Sequence, residues 1–416
     1  MRVMWLKSDY IIPPDTGGKI RTYNLMRGLN KLCDLRYVAL RNTPEAPSDS
    51  QIRECASEVT TFYSPEEVKE GVGFYLRVLA GMFSPLPYIV RKYRSAEIRN
   101  LQADFCAQTG EPSVIVCDFL EMAENVDFSV PAPKVLFQHN VESMIWRRYF
   151  ENETHPLKKA YFNYEAKRMA EYEKNTCNKF DLVFVVSESD KVILRDEFKV
   201  TTPIEVIDTG VDTEYFAPQP EVEVVPGKLV FTGSMDWMPN IDGIRWFVSE
   251  VYPLIRNVNP SVTLDIVGRR PTAEVTALAE HDSSITVTGG VPDVRPYLAQ
   301  GDIFIVPLRI GGGTRIKIFE ALAMRKPTVS TTIGAEGLPL ESGRDILLGD
   351  TPEEFAGQVN KLLEDSDIKN RVSKSGHTLV VENYRWEKIA QKFHRLLQQL
   401  TNKTKTNKKT PQSVKA

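Results

Sequence analysis

Short apolar runs alternate with amphipathic stretches along most of this chain, and this alternation constrains the fold more than any other feature. In the first half, the runs that predict buried strands are 2–6, 35–40, 58–62, 114–117, 135–137, 182–186 and 204–207. In the second half they are 229–231, 262–267, 285–287, 303–306 and 328–330. Further helices are predicted over 352–364, 367–381 and 386–400. The pattern predicts an α/β protein with two doubly wound, Rossmann-like parallel sheets.

A chain of 416 residues exceeds one ordinary core and fits two domains with a tail. We interpret the stretches 208–212 and 218–226 as a hinge, because the second is rich in Pro and Glu and has no apolar period. The predicted domains are 1–208 and 209–381, and two such domains form a cleft toward which strand ends point. Residues 401–416 are polar, carry five lysines and lack an apolar face, which predicts a disordered tail.

Charge and cysteine usage exclude several classes of protein. The net charge of −3 implies no general attraction to nucleic acid. The five cysteines are odd in number and form no Cys-x-x-Cys pair, and the five histidines show no paired ligand spacing. This pattern indicates reduced thiols in a cytoplasmic protein and no metal site. The N-terminus lacks a signal-peptide pattern, and no apolar run approaches a membrane span.

The stretch 306–320 predicts an anion-binding turn. It begins where the apolar run 303–306 ends, and three glycines follow, namely Gly311, Gly312 and Gly313. Glycines allow a tight turn and a close approach of a ligand to the backbone. Thr314 can then cap a helix that continues to about Met324. The N-terminus of a helix carries unpaired N–H groups and partial positive charge, so it attracts phosphate.

Two cations lie in the predicted first turn of this helix, Arg315 and Lys317. The helix dipole disfavours cations there, and their presence therefore indicates an anionic ligand. Glu320, one turn further, can accept hydrogen bonds from sugar hydroxyls. The alternative is an ordinary βα loop in which Lys317 and Glu320 form a surface pair.

Two features of the first half follow predicted strands. Gly17 and Gly18 lie between the first strand and a helical pattern, where a substrate can approach the backbone amides. The loop lacks the spacing of a dinucleotide fingerprint, and a plain βα turn is the alternative. His139 comes just after the run 135–137, at the edge of an α/β sheet that binds ligands. A structural role for this histidine is equally compatible with the sequence.

The segment 68–94 combines apolar residues with the basic cluster Arg91, Lys92 and Arg94. Such a combination suits a helix lying at a membrane surface. We favour the alternative, a core helix followed by a solvated one.

Several motifs together resemble those of retaining glycosyltransferases of family 4, the group 1 glycosyl transferases, which have the two-domain GT-B fold. Residues 13–22 (PPDTGGKIRT) resemble the acceptor-side glycine loop of that family. Residues 209–212 (TGVD), with Tyr215, Phe216 and Pro218, resemble its interdomain signature. Val267-Gly268, the loop 289–293 and the stretch 307–327 follow its donor-domain pattern. The resemblance covers residues 1 to about 400.

The chain departs from the family pattern in two places. Gly312 stands where the family has the first of two glutamates, and residues 233–240 lack the usual basic pair that contacts the diphosphate. We infer that Arg315 and Lys317 take over this contact. The closest resemblance is therefore to a variant branch with Gly-Gly-Gly-Thr-Arg in the donor loop.

The resemblance implies a sugar transfer from a nucleoside-diphosphate sugar to a glycan, a lipid-linked or a small-molecule acceptor in polysaccharide biosynthesis, with no cofactor besides the donor. No loop after a predicted strand carries Asp-x-Asp, so we expect the diphosphate to be bound without a metal. Arg315 and Lys317 would stabilise the leaving diphosphate, and His139 would contact the sugar. The implied donor-binding residues are Gly233, Val291, Gly311, Gly312, Gly313, Thr314, Arg315, Lys317, Glu320 and Glu336. A C-terminal helix within 382–400 would return to the first domain. The expected location is the cytoplasm. The membrane-surface interpretation of 68–94, which we do not favour on the sequence, would add contact with the inner face of the membrane.

Two alternatives stay open at this point. Asp118, His139 and Glu142 keep a nucleotide-sugar epimerase on the same scaffold under consideration. The missing glutamate at Gly312 motivates a non-catalytic protein that binds a nucleotide sugar.

Overall fold

The computed structural model describes residues 1–45, 50–65, 81–82, 84–108, 111–153, 155–310 and 315–409. The chain divides into two compact units. The first unit comprises Met1–Asp208 together with Glu387–Ala416, and the second comprises Thr209–Trp386. The chain therefore leaves the first unit after Asp208 and returns to it at Glu387.

The first unit contains a seven-stranded parallel sheet. Its strands are β1 (Arg2–Lys7), β2 (Asp34–Arg41), β3 (Glu58–Tyr63), β4 (Ser113–Asp118), β5 (Lys134–Phe137), β6 (Leu182–Val185) and β7 (Ile204–Val206). Their spatial order is β3-β2-β1-β4-β5-β6-β7, and every neighbouring pair is parallel. Strand β1 pairs with both β2 and β4, so the direction of strand addition reverses beside β1.

The second unit contains a six-stranded parallel sheet. Its strands are β8 (Lys228–Thr232), β9 (Thr263–Val267), β10 (Ile285–Val287), β11 (Ile303–Val306), β12 (Thr328–Ser330) and β13 (Leu347–Leu348). Their order is β10-β9-β8-β11-β12-β13, again with parallel pairs throughout. The two doubly wound parallel sheets predicted from the sequence are therefore confirmed.

Helices connect the strands. In the first unit the α-helices are Gly17–Asn30, Ile52–Cys55, Tyr88–Lys92, Ala96–Ala107, Glu142–Asn152, Pro156–Cys177, Glu188–Val192 and the C-terminal helix, which begins at Trp386 and ends at Lys409. In the second unit they are Met238–Trp246, Tyr252–Val258, Ala273–His281, Arg295–Gln300, Ile316–Ala323, Pro352–Glu364 and Ser366–Asn383. A 3-10 helix spans Leu120–Asn125, and π-helical turns span Ile193–Glu197 and Phe247–Val251.

The strands near the middle of each sheet are mostly apolar because helices cover both faces of a parallel sheet, whereas the edge strand β3 is only partly buried. In β1, the four residues from Val3 to Leu6 have no exposed surface, and all four residues of β11 are buried. Local signals fix where the helices begin. Thr351 and Glu354, for example, form a capping box at the start of the helix Pro352–Glu364, which satisfies N–H groups that lack helical partners.

The C-terminal helix completes the core of the first unit. Phe393 is fully buried, and its ring lies 4.4 Å from Phe184, 5.6 Å from Trp5 and 5.7 Å from Phe137, measured between ring centroids. Lys392 also donates a hydrogen bond of 2.9 Å to Asp208. A helix contributed from the far end of the chain thus seals strands β1, β5 and β6.

Three elements differ from the expectations drawn from the sequence. The C-terminal helix extends past Leu400 into the stretch expected to be disordered, because residues 401–409 contain no Pro or Gly and the helix ends shortly before Pro411. The strand β13 was not expected, since two residues are too short to show a pattern. A helix that was not expected, Glu142–Asn152, precedes the long helix Pro156–Cys177. Within the described part of the chain, no helix is long and apolar enough to cross a membrane.

Candidate functional site

Each sheet has one place where the order of its strands reverses. In the first sheet this place lies between β1 and β4, and in the second between β8 and β11. Ligands of open α/β sheets bind at the carboxyl ends of the strands beside such a reversal, because the two flanking loops turn away from each other there. The residues that follow these four strands are therefore the candidates for binding and chemistry.

In the first unit, Asp118 at the end of β4 is the centre of a buried polar cluster. Its Oδ2 accepts hydrogen bonds from Trp5 Nε1 at 2.9 Å and from Thr22 Oγ1 at 2.6 Å. Its Oδ1 lies 2.7 Å from Nε2 of His139, and Nζ of Lys7 lies 3.5 Å from Oδ2. All of these side chains are buried, so the carboxylate is held rigidly from four directions.

The electrostatics of this cluster define the state of His139. Burial raises the pKa of Asp118, but the charge of Lys7 and the contacts with His139 outweigh burial and leave the pKa below its usual range. Burial lowers the pKa of His139 to about 4, against the opposing effect of Asp118. The imidazole is therefore neutral at pH 7. Because the ionised Asp118 faces Nε2, the proton resides on Nε2, and Nδ1 keeps its lone pair.

The Nδ1 atom of His139 is buried and has no hydrogen-bond partner among the described residues. The ring is stacked on Phe119 at 4.1 Å and lies 4.4 Å from Phe137. Phe119 has φ of 74°, in the left-handed region, which a bulky residue adopts only where its surroundings require it. The contacts with these two rings thus fix the orientation of His139.

The two N-terminal glycines are the first residues of the helix Gly17–Asn30, and Thr16 precedes it as the N-cap, accepting from Lys19 N. The sequence placed both glycines in a loop before the helix, and this placement is corrected. Because Thr16 is the N-cap, the helix begins at Gly17 and includes both glycines. A Cβ atom on Gly18 would lie 3.0 Å from the Phe119 ring and 3.9 Å from His139 Nδ1, whereas one on Gly17 would meet nothing within 4 Å. The structure thus brings Gly18 and His139 together.

A residue missed in the sequence analysis, Glu173, anchors the segment that carries His139. Its buried carboxylate accepts from the backbone N–H groups of Glu142 and Ser143 at 2.9 and 3.1 Å, and from Gln138 Nε2 at 3.3 Å. Burial raises its pKa to about 7. Glu173 lies in the long helix Pro156–Cys177, which contains many charged residues. Nothing in the sequence distinguishes this buried glutamate from the solvent-exposed ones around it.

In the second unit, Lys317 reaches from the helix Ile316–Ala323 to the turn after β8. Its Nζ donates to Asn240 Oδ1 at 3.0 Å and lies 4.4 Å from the centre of the Phe231 ring. A Cβ atom on Gly233 would come within 2.8 Å of this Nζ. The structure therefore brings together Gly233 and Lys317, two of the residues expected to bind the donor.

Arg315 immediately precedes this helix. The helix begins at Ile316, and Arg315 has φ of −84° and ψ of 63°, which lies outside the helical region. Arg315 therefore occupies the N-cap position that was expected for Thr314, because the turn ends one residue later than expected. Its side chain is buried and donates to the carbonyl of Ile310. Gly311, Gly312, Gly313 and Thr314 lie outside the described residues.

Burial shifts both titratable groups of the helix Ile316–Ala323 toward neutrality. Burial, and then the charge of Arg315, lower the pKa of Lys317 to about 7. Burial raises the pKa of Glu320 to about 7, against the opposing effect of Lys317. A low-polarity environment disfavours every ionised group that lacks a counter-charge, and a bound anion would supply one to Lys317.

A second residue missed in the sequence analysis, Arg269, follows β9. Its Nε donates to Ser234 Oγ at 3.3 Å, and its carbonyl accepts from Met235 N at 2.9 Å. A Cβ atom on Gly290, after β10, would lie 3.5 Å from the Cβ of Arg269. The loops after β8, β9 and β10 therefore meet at this arginine. The pair Arg269-Arg270 directly after a predicted strand was the available signal.

The two remaining candidates lie on loops near the same edge. Val291, after β10, is partly buried and packs against the core. Glu336 is exposed in the turn after β12, in which a Cβ atom on Gly334 would lie 2.7 Å from the carbonyl oxygen of Val306. Neither joins the hydrogen-bonded group around Lys317. Among the described residues, the His, Cys, Asp and Glu side chains form no group of three that could hold a metal ion.

Two family models match the chain in succession. Residues 16–215 match Glycosyltransferase Family 4, and residues 226–365 match Glycosyl transferases group 1. The first range falls almost entirely in the first unit and the second range within the second unit. Together with the two parallel-sheet domains, these matches support a glycosyltransferase of the GT-B class.

Particular known proteins resemble the chain over different lengths. The sucrose-phosphate synthase of Thermosynechococcus elongatus aligns over 97% of this chain and 100% of its own, with a TM-score of 0.70 and 16% identity. The Anabaena protein HepE, solved in complex with UDP, aligns over 96% of this chain and 100% of its own, with a TM-score of 0.67 and 14% identity. These likenesses show the GT-B fold.

In sequence, a GDP-mannose-dependent alpha-(1-6)-phosphatidylinositol monomannoside mannosyltransferase of Mycobacterium tuberculosis is 26% identical over 235 residues, which are 51% of this chain and 60% of the relative. The matches span 60 to 66% of the length of the curated relatives.

Acidification is expected to destabilise the protein through His139. The folded-state pKa of about 4 lies below the ordinary value of 6.5, so below about pH 6.5 the unfolded chain gains a proton that the folded protein does not bind. Proton uptake by the unfolded chain therefore lowers the free energy of unfolding progressively as the pH falls from about 6.5 toward 4. In urea denaturation at about pH 7 and pH 5, the wild type should lose more stability than His139→Gln.

The wild type and His139→Gln must be compared because Glu173 is present in both. Its pKa is raised by folding, so its protonation increases the free energy of unfolding as the pH falls, which opposes the effect of His139. Equal pH dependence of the two proteins would contradict the proposed neutral state of His139.

Proposed function

We propose that this protein transfers a sugar from a nucleoside-diphosphate sugar to a glycan or a lipid-linked acceptor, with retention of the anomeric configuration and without a metal ion. The observation that carries the proposal is the partly buried ammonium of Lys317 beside Gly233, with the buried guanidinium of Arg315 at the start of the same helix. The family matches and the UDP-bound relative support the class of donor.

Transfer requires stabilisation of a leaving group. As the bond between the sugar carbon and the diphosphate oxygen breaks, negative charge accumulates on the terminal phosphate. Lys317, Arg315 and the first N–H groups of the helix Ile316–Ala323 would oppose this charge where it develops, in an environment of low polarity that strengthens the interaction. We propose that Glu320 accepts hydrogen bonds from the ribose hydroxyls and that Gly233, Val291 and Glu336 border the donor. Gly311, Gly312, Gly313 and Thr314, which lie outside the described residues, are proposed to belong to the same donor site.

In the retaining reaction that we propose, the acceptor hydroxyl attacks the face of the sugar from which the diphosphate departs. The new bond forms between the sugar carbon and the acceptor oxygen, and the hydroxyl proton passes to the departing phosphate. This route needs no protein nucleophile. It therefore agrees with a donor loop in which Gly312 stands where a carboxylate was expected.

In the first unit, we propose that His139 positions a sugar through a hydrogen bond from a hydroxyl to Nδ1. The neutral imidazole is suited to this role because Nε2 is committed to Asp118. Gly17 and Gly18 would let the ligand approach the start of the first helix, where backbone N–H groups are exposed. The comparisons give no support to an epimerase.

Arg315→Ala is expected to lower kcat by about a hundredfold to a thousandfold, as the loss of a group that stabilises transition-state charge does. Release of UDP or GDP from UDP-glucose or GDP-mannose is measured with a bacterial glycolipid extract as acceptor. Arg371→Ala, at an exposed arginine of the helix Ser366–Asn383, serves as the control.

The unfolding midpoint of Arg315→Ala should match that of the wild type. The assay contains excess EDTA, since protein cations are proposed to replace a metal. Unchanged kcat in Arg315→Ala would contradict the role of this residue, and activity that requires added magnesium would contradict the metal-independent route.

Nucleoside-diphosphate binding is expected to weaken as the pH rises from about 7 to 8.5. Lys317 and Glu320, with pKa values of about 7, each lose a proton in this range, and each loss makes the site less attractive to an anion. Titration calorimetry with UDP and GDP should show a net uptake of protons and an affinity that falls by up to about tenfold per pH unit for each proton that is coupled to binding. Lys317→Arg, which stays charged, should flatten the profile. A wild-type affinity independent of pH would refute the linkage.

We further propose contact with the inner face of the cytoplasmic membrane through the segment 68–94, of which 68–80 and 83 lie outside the described residues. In the described part, Val90 is buried in the core, while Arg94 is exposed and Arg91 and Lys92 are partly exposed. Exposed cations favour an anionic surface. The triple variant Arg91→Gln, Lys92→Gln and Arg94→Gln should bind less to vesicles of phosphatidylglycerol in a flotation assay. Equal flotation of variant and wild type would exclude the contact.

A further inference from the structure

The side chain of Asn240 joins two elements of the second unit that are distant in sequence. Asn240 lies in the first turn of the helix Met238–Trp246 and is 6% exposed. Its Nδ2 donates to the carbonyl of Ser234 at 2.8 Å, and its Oδ1 accepts from Nζ of Lys317 at 3.0 Å. The amide therefore has a fixed orientation, because its donor is bound to the turn after β8 and its acceptor to a lysine of another helix.

The backbone of the turn after β8 lies close to both of these side chains. A Cβ atom on Gly233 would lie 2.7 Å from Asn240 Nδ2 and 2.8 Å from Lys317 Nζ, which is closer than real Cβ contacts. On its other side, the ammonium lies over the ring of Phe231. The absence of a side chain at Gly233 thus lets the ammonium reach the backbone of the turn, and Asn240 holds it there.

The neutral amide of Asn240 suits a site in which the ammonium of Lys317 must keep its positive charge. An ammonium has three N–H donors, and Asn240 is its one hydrogen-bond acceptor in the described part of the chain. An amide oxygen binds an ammonium without cancelling its charge. A carboxylate in the same place would form an ion pair and reduce the attraction for a phosphate.

We propose that Asn240 is a positioning residue that holds the Lys317 ammonium beside Gly233 so that the loop after β8 presents a cation to the donor diphosphate. This inference rests on the proposed function and assigns to that site a residue that contacts no reacting atom itself. It explains how a loop without Lys or Arg of its own between 233 and 240 obtains a positive charge. The charge is supplied by a helix that follows β11.

The role of Asn240 is tested by a double-mutant cycle with Lys317. UDP and GDP binding is measured by titration calorimetry for the wild type, Asn240→Ala, Lys317→Ala and the double variant, with uridine and guanosine as probes that lack phosphate. Asn240→Ala should weaken nucleoside-diphosphate binding about tenfold, as the loss of a hydrogen bond to a charged group does, and leave nucleoside binding unchanged. In the Lys317→Ala background the same substitution should have no further effect.

Two further variants separate positioning from a structural role. Asn240→Asp retains the shape of the side chain and should also weaken binding, because its carboxylate neutralises the ammonium. The exchange variant, Asn240→Lys combined with Lys317→Asn, returns a cation to the turn and should bind UDP or GDP more tightly than Lys317→Asn alone. Asn257→Ala, at an exposed asparagine of the same unit, is the matched control, and unfolding midpoints report the integrity of each variant.

The outcomes distinguish this inference from the proposed function. If the wild type binds neither UDP nor GDP, the proposed donor site fails and the positioning role fails with it. If the wild type binds but Asn240→Ala weakens binding equally with and without Lys317, the positioning role alone is overturned. Unchanged binding by Asn240→Asp would overturn it as well, even if Asn240→Ala does not fold.

Discussion

Both units depend on the constraint that parallel strands impose on a chain. A parallel neighbour can be reached only by a crossover that returns along the sheet, and almost all such crossovers are right-handed. A sheet that starts from a central strand and is then extended on both sides must therefore reverse its winding beside that strand. Strands β1 and β8 occupy this position in their sheets. The loops that leave them turn away from their neighbours, and the polar groups that a core excludes can gather there.

The polar cluster around Asp118 in the first unit and the one around Lys317 in the second differ in how their charges are balanced. In the first unit, the carboxylate of Asp118 is surrounded by Lys7, Trp5, Thr22 and His139, so charge and counter-charge are matched inside the protein. Such a cluster fixes geometry and is suited to presenting one oriented acceptor atom. In the second unit, the ammonium of Lys317 is held by a neutral amide and an aromatic ring. Among the described residues no carboxylate forms an ion pair with this ammonium, so the site is suited to an anionic ligand.

The sequence was sufficient for the architecture because parallel strands are buried on both faces and appear as short, continuous apolar runs. It also located Lys317, Gly233 and His139, since each lies next to a strand end or a glycine turn. It could not identify Glu173 or Asn240. Their roles depend on contacts with residues about 30 and 77 positions away, and pairing over such distances leaves no local pattern. The extent of the C-terminal helix was also misjudged, because its last residues alternate between lysine, which favours helix formation, and threonine and asparagine, which favour it less.

The return of the C-terminal helix to the first unit has a consequence for the order in which the protein can be completed. The second unit is inserted into the first, and its two ends meet where Val211 donates a hydrogen bond to the carbonyl of Tyr384 at 2.7 Å. Phe393 fills a site formed by Trp5, Phe137 and Phe184, which are synthesised much earlier. During translation, the core of the first unit therefore stays incomplete until the entire second unit has been synthesised and the C-terminal helix follows. The second unit, by contrast, has all of its strands before that helix is made. The first unit, whose synthesis begins first, is thus the last to complete its core.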